Sequence, residues 1–304
     1  KSLDFRFRHA HRPDLVDTNI VLICIDDNSL AYYENNGVSW PWPREFYGLM
    51  LNYFKRAGAK TVGFDIIFTQ KDISATDEFF ADAINKFGKA VIAIQLNVEL
   101  GLEYNPINKT KLVKLSKPNF NLKKYHNAIA PLSIFQTNCK HLGVVDFKED
   151  KDGIARKTEL IYNYKDYYLL NFASALYCAG NNVSPETLLK KLENIDKTSD
   201  GKFYYYWYGR GGPDNGVFRY YTAASIIQSE IALMNNQKPV LPPSLFKDKF
   251  IIVGGTSAGL HDFKPTPFTY LDNYPGMEIH ATMLSNLNKN HHIILVNTFL
   301  GFVI

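Results

Sequence analysis

The sequence predicts an α/β fold: a three-layer sandwich around a mainly parallel central sheet, with strand–helix–strand crossovers and an elaborated insertion. Three observations carry this. Short apolar runs rich in β-branched residues alternate with amphipathic stretches at helical spacing. The runs are apolar throughout rather than alternating, as expected for strands covered on both faces. Glycines stand where helical stretches stop, so strand, helix, strand, helix, strand follow one another at crossover spacing.

Val21 to Ile25 is the first buried strand and ends in Asp26-Asp27. After the turn-like Asn35-Asn36-Gly37 and the segment Trp40-Pro41-Trp42-Pro43-Arg44, the residues Phe46, Leu49, Met50, Tyr53 and Phe54 recur at helical spacing up to Arg56, with Gly58 as the stop. Thr61 to Phe68 reads as a second strand carrying Asp65, Asp77 to Phe87 as a second amphipathic helix, and Ala90 to Leu96 as a third strand. The polar, lysine-bearing stretch 101–127 reads as a surface insertion. Leu142 to Phe147 is strand-like, Asp150 to Gly153 a turn, Ile154 to Tyr164 a strand and Tyr168 to Cys178 a helix. Phe203 to Tyr208 is an aromatic strand, Thr222 to Leu233 a helix, and Phe250 to Val253 the last buried strand. A final helix runs from about Met277 to Leu287. No linker divides the chain, so residues 1–292 read as one domain.

The chain has 304 residues, 46% hydrophobic and 21% charged, with 34 Lys+Arg against 30 Asp+Glu. That balance excludes disorder and an all-membrane bundle, and +4 is too slight an excess to mark a nucleic-acid binder. Three cysteines are too few for a disulfide scaffold and are not spaced as metal ligands. Lys1 to Arg12 is charged from the start and does not read as a signal peptide. Ile293 to Ile304 is apolar but short of the roughly 20 residues of a membrane span. It is either a terminal core segment or the start of a membrane segment in a longer chain.

Several constellations invite a chemical reading. Gly255-Thr256-Ser257-Ala258-Gly259 matches G-x-S-x-G after a strand, and Asp262, Asp272 and His280 follow in hydrolase order. A nucleophile elbow needs a helix directly after the serine, and Pro265 and Pro267 stand in its way. A glycine-rich turn that exposes backbone N–H groups to an anion is the milder alternative. Asp26, Asp27 and Asp65 close two strands on one sheet edge, where they either hold Mg²⁺ or Ca²⁺ or cap the helices that follow. The histidines lack zinc spacing, and Tyr204 to Tyr208 lacks the basic residues of a base-stacking platform. If there is a pocket, its candidate residues are Asp26, Asp27, Asp65, Thr256, Ser257 and Glu278. No catalytic residue, metal or cofactor is assigned.

Taken together, the residues resemble the type-2 cyclase/histidine-kinase-associated extracellular sensing domain, CHASE type 2, over nearly the whole chain. The matching segments are Leu3-Asp4-Phe5-Arg6-Phe7-Arg8, Ile20 to Leu30, Trp40-Pro41-Trp42-Pro43-Arg44, Ala57 to Phe68, Ile252 to Leu260 with Gly254 and Gly259, Pro265-Thr266-Pro267, and Pro275-Gly276-Met277-Glu278-Ile279-His280-Ala281. The insertion 101–127 departs from the family pattern, as does Gly255-Thr256-Ser257, where Ala-Thr-Ala is expected. The resemblance implies a bacterial sensor domain outside the cytoplasm, behind one membrane helix and ahead of several more. Those helices lead to a cytoplasmic output such as a nucleotide cyclase or a kinase, and residues 293–304 then begin the next membrane helix. The partners it implies are a small-molecule or environmental signal, the flanking helices and output domain of the same chain, and a second copy in a homodimer, with no nucleic acid. A serine hydrolase built on Ser257 and a purely structural dimerisation module are the alternatives.

Overall fold

The computed structural model describes residues 2–96, 105–260, 263–268 and 274–295. Helix α1 (Ser2–Ala10) leads to β1 (Ile20–Ile25), α2 (Asp27–Asn35), α3 (Arg44–Ala57), β2 (Thr61–Phe64), α4 (Ser74–Phe87) and β3 (Ala90–Ile94). Next come the edge strand β4 (Lys124–Tyr125), α5 (Ser133–Asn138), β5 (His141–Val144), β6 (Lys157–Thr158), β7 (Ile161–Tyr164) and β8 (Tyr167–Asn171). The chain ends with α6 (Phe172–Asn181), α7 (Pro185–Glu193), β9 (Phe203–Tyr204), β10 (Arg219–Thr222), α8 (Ala223–Met234), β11 (Phe250–Gly255), β12 (Phe263–Lys264), β13 (Tyr274–Pro275) and α9 (Gly276–Lys289).

The central sheet has nine strands in the order β10-β1-β11-β2-β3-β5-β8-β7-β4. From β10 to β8 every pairing is parallel, and only the β7–β8 hairpin reverses direction. The last long strand, β11, lies between the first two, with Ile20 to Ile25 registered on Phe250 to Gly255 and Phe250 to Val253 on Thr61 to Phe64. Side chains alternate across each strand. Val21, Ile23, Ile25, Ile251 and Val253 enter one core with Tyr47, Leu51 and Phe54 of α3 and Ile226 of α8. Ile20, Leu22, Cys24 and Ile252 enter the other with Leu176 of α6 and Ile279 of α9. This is the three-layer sandwich expected from the sequence.

The differences are local. Thr61 to Phe68 is a strand only as far as Phe64. Ile154 to Tyr164 is two strands in two sheets, because β6 pairs with β9 while β7 folds back on β8. The helix expected from Tyr168 begins at Phe172, since Tyr167–Asn171 joins the sheet and the Asn171 side chain caps the helix by accepting from the Ala173 N–H. The insertion is more than surface: Val113 bridges Tyr168, and Tyr125 on β4 is buried. All three cysteines are buried free thiols. No helix among the described residues is long and apolar enough to cross a membrane. Of the segment 293–304, Ile293 packs against the second core while Ile294 and Leu295 are exposed, and residues 296–304 lie outside the described ones.

Close packing of α6 on the sheet generates a test. A Cβ added at Gly143 of β5 would lie 2.8 Å from the Phe172 Cα, a backbone atom that cannot swing away, and 3.2 Å from Val91 Cγ1. Gly143→Ala is therefore expected to destabilise the fold by about 1–3 kcal/mol, read as a lower urea midpoint at unchanged slope. An unchanged midpoint would refute this packing.

Candidate functional site

Parallel strands leave their carboxyl ends facing the same way, and the crevice there is where α/β sheets receive ligands. A cleft of about 420 Å³ occupies this edge, reaching Ile25 after β1, Gly255 on β11, Asp65 to Ile67 after β2, Gln95 after β3 and Val145 to Phe147 after β5. Trp40, Glu149, Leu260 and Lys264 complete its wall. The volume suits a small molecule.

Of the six candidates from the sequence, only Asp65 lines this cleft. Asp26 is the N-cap of α2, its carboxylate accepting the Ser29 N–H at 2.9 Å. The Ser257 hydroxyl donates a short hydrogen bond to Asp27. The N–H groups of Thr256 and Ser257 donate to Ile25 O at 3.1 and 3.2 Å, so this turn faces the end of β1. Glu278 is fully buried on α9 and accepts from the Gly212 N–H and the Tyr220 hydroxyl, both at 2.7 Å, which fastens loop 209–216 and β10 to that helix. Its place is the core, and neither it nor these partners line the cleft.

The hydrolase geometry is not assembled by the described residues. Ser257 is followed by a 3₁₀ turn, Ala258–Leu260, and its hydroxyl faces Asp27. His280 is 1% exposed, stacks on Phe147 with ring centroids 4.6 Å apart, and turns Nε2 toward Asp65 Oδ2 at 3.8 Å. Burial, with Lys264 nearby, pushes the imidazole down to about 3, so it is neutral and the Asp65 contact is not an ion pair. Asp262 and Asp272 lie outside the described residues.

The family-motif residues hold the rim. Trp42 is buried edge-on against Tyr33 and Phe46, while Trp40, 38% exposed, faces the cleft. The Trp40–Pro41 peptide is cis, and Pro43 is the N-cap residue of α3. Arg44 spreads over Phe68, donates to Gln70 O at 3.1 Å and approaches Asp77 at 3.8 Å, which binds the loop after β2 to the start of α3. Gly254 and Gly255 let Met277 and Leu260 pack within 3.0 and 2.7 Å of where a Cβ would stand, and Gly259 follows in the turn. Pro267 is buried, Pro275 caps α9, and Gly276 begins it.

Sequence reasoning missed Asp146, Glu149 and Gln95, because nothing marked the end of β5 as the far wall of the same edge. Burial raises the Asp146 carboxyl to about 6, against the pull of the Leu96 N–H it accepts at 2.6 Å. Also missed was Arg156, 7% exposed, where the wall segment leaves the cleft. Its guanidinium grips both oxygens of Asp4 on α1 at 2.6 Å, both of Asp152 at 2.7 and 2.8 Å, and Asp150 at 3.1 Å. The Ala155 N–H donates to Pro265 O at 2.9 Å, one residue from the cleft-lining Lys264. A charged pair 152 residues apart in the chain leaves no local pattern to read.

A doubly covered parallel sheet with a cleft at its carboxyl edge is the architecture in which α/β folds receive small ligands. The chain belongs to the CHASE2 family, whose domain model matches residues 1–302; this is a family of extracellular sensor domains. No curated protein and no solved structure matches the chain.

The buried titratable groups fix a pH dependence. The unfolded chain binds a proton on His280 near the ordinary imidazole value of 6.5, while the folded chain refuses it until about 3, so stability is lost as pH falls through that window. Asp146 acts oppositely, because the folded chain keeps its proton between the ordinary 3.8 and about 6. His280→Gln removes only the first contribution. It is expected to reduce the loss of unfolding free energy between about pH 7 and pH 4.5 by about 2 kcal/mol, measured from urea midpoints at the two pH values. An equal loss in both proteins would overturn this reading.

Proposed function

We propose that this domain is the extracytoplasmic input module of a bacterial membrane receptor, with the cleft at the sheet's carboxyl edge as its signal site. In this reading the segment 293–304 continues into a membrane helix. The state of the cleft passes through the terminal helices to a cytoplasmic output of the cyclase or kinase kind.

The observation that carries the reading is the continuity between the cleft wall and α1. Val145, Asp146, Phe147 and Glu149 line the cleft, the next residue is Asp150 of the turn that Arg156 grips, and the same guanidinium holds Asp4. A ligand shifts a two-state element only through contacts that differ between the states. A wall segment held by one fork to the N-terminal helix supplies such an element.

Two measurements test this. In the full-length protein, alkaline phosphatase inserted after Asn290 is expected to be active and a fluorescent reporter at the same place dark; the reverse pattern would sink the extracytoplasmic assignment. Arg156→Lys keeps the charge but loses the planar fork. Amide hydrogen exchange in α1 is expected to quicken by about tenfold while β1 and β11 keep their protection. Unchanged exchange in α1 would mean that Arg156 does not hold the helix.

A further inference from the structure

We propose that the cleft binds a small organic cation: a ligand with an ammonium group on an apolar, preferably aromatic, body. The inference rests on the sensor reading and names the ligand class for its site.

Among the described residues the wall carries the carboxylates of Asp65, Asp146 and Glu149 and the ammonium of Lys264, while Lys148, between two lining residues, is paired with Glu159 behind it. Asp65 and Lys264 each hold a further contact of their own, so the surplus negative charge belongs to the far wall, Asp146 and Glu149. Desolvation raises the half-buried Asp146 carboxyl even with the Lys148 charge acting on it, and a positive charge seated in the cleft beside it would relieve it further. Trp40 and Phe147 supply ring surface in the same cleft, and an ammonium ion is attracted to aromatic faces as well as to carboxylates. Ile25, Ile66 and Ile67 add an apolar patch for the rest of the molecule.

An independent observation points the same way. His280 is 1% exposed, and its Nε2, turned toward the cleft-lining Asp65, has no hydrogen-bond partner among the described residues. A buried polar atom without a partner is costly and calls for an explanation. The neutral imidazole can accept at Nε2, and an N–H donor seated at Asp65 supplies the bond. A metal ion fits less well. The carboxylates are spread around the cleft, and no three His, Cys, Asp or Glu side chains among the described residues are grouped to hold one.

The test is isothermal titration calorimetry of the 304-residue chain with 2-phenylethylamine and 1,5-diaminopentane, with 2-phenylethanol, phenylacetate and MgCl₂ as comparisons. Saturable binding of an amine at least about tenfold tighter than the alcohol is expected, with phenylacetate the weakest of the aromatic probes. Glu149→Gln, at an exposed position, and Asp65→Asn are each expected to weaken amine binding by about fivefold or more, whereas Asp166→Asn, outside the cleft, leaves it unchanged. Equal affinity for amine and alcohol, preference for phenylacetate or Mg²⁺, or no saturable binding of either amine up to about 10 mM would overturn the proposal. The reporter fusions judge the receptor reading separately. A correctly exposed domain that ignores amines refutes the ligand class alone.

Discussion

The constraint on which the rest of this structure depends is the insertion of β11 between β1 and β2. Strands separated by more than two hundred residues of chain must register Ile20 to Ile25 on Phe250 to Gly255 before the sheet has a centre. Once they do, β1, β11 and β2 are buried on both faces, and each odd or even side chain is committed to one of two cores. Their carboxyl ends then lie side by side, and the crevice between them is a consequence of strand order rather than of any one residue. Non-local pairing of this kind closes long loops before it gains contacts, so the central sheet is among the later things the chain can complete.

The polar residues around that edge divide by what burial demands of them. A buried carboxylate needs donors. Glu278, fully buried, finds them in the Gly212 N–H and the Tyr220 hydroxyl, while the half-buried Asp26 accepts the Ser29 N–H and the exposed Asp27 the Ser257 hydroxyl. Each of these bonds fastens an element to its neighbour, so these acids are occupied by the fold. What remains to line the cleft is contributed by the strands further along, β3 and β5, and by the loop after β11. The most conspicuous acids in the sequence are thus the least available ones.

This also explains how far the sequence could be read. Apolar runs and helical spacing carry the strands and most helices, because burial on two faces leaves an unbroken pattern. Gly58 and Gly88 end α3 and α4 with φ of +71° and +75°, as their positions suggested. Tyr167–Asn171 was hidden because an aromatic-leucine run fits strand and helix alike, and only its hairpin partner β7 decides between them. The site was legible in place but not in membership. Knowing that parallel strands end at one edge brings Asp65 there, but which neighbours join it depends on the order β11-β2-β3-β5. His280 stood out in the sequence, yet its neutral, stacked environment is set by Phe147 and Phe172 from other elements.

The net charge of the chain illustrates the same separation of scales. The molecule carries +4, whereas among the described residues the cleft wall sets three carboxylates against one lysine. Charges more than about 8 Å away are largely screened at physiological ionic strength, so a bound ligand responds to the wall it touches and hardly to the global excess. The charge the lining residues present is therefore opposite in sign to the one the composition suggests. The low-dielectric flanks of Ile66, Ile67 and Phe147 strengthen its field further. The wall continues, through Asp150 and Arg156, into the two-point grip of that guanidinium on the Asp4 carboxylate of α1. The cleft wall and the tether of the N-terminal helix are accordingly linked along the chain by a dozen consecutive residues, Val145 to Arg156.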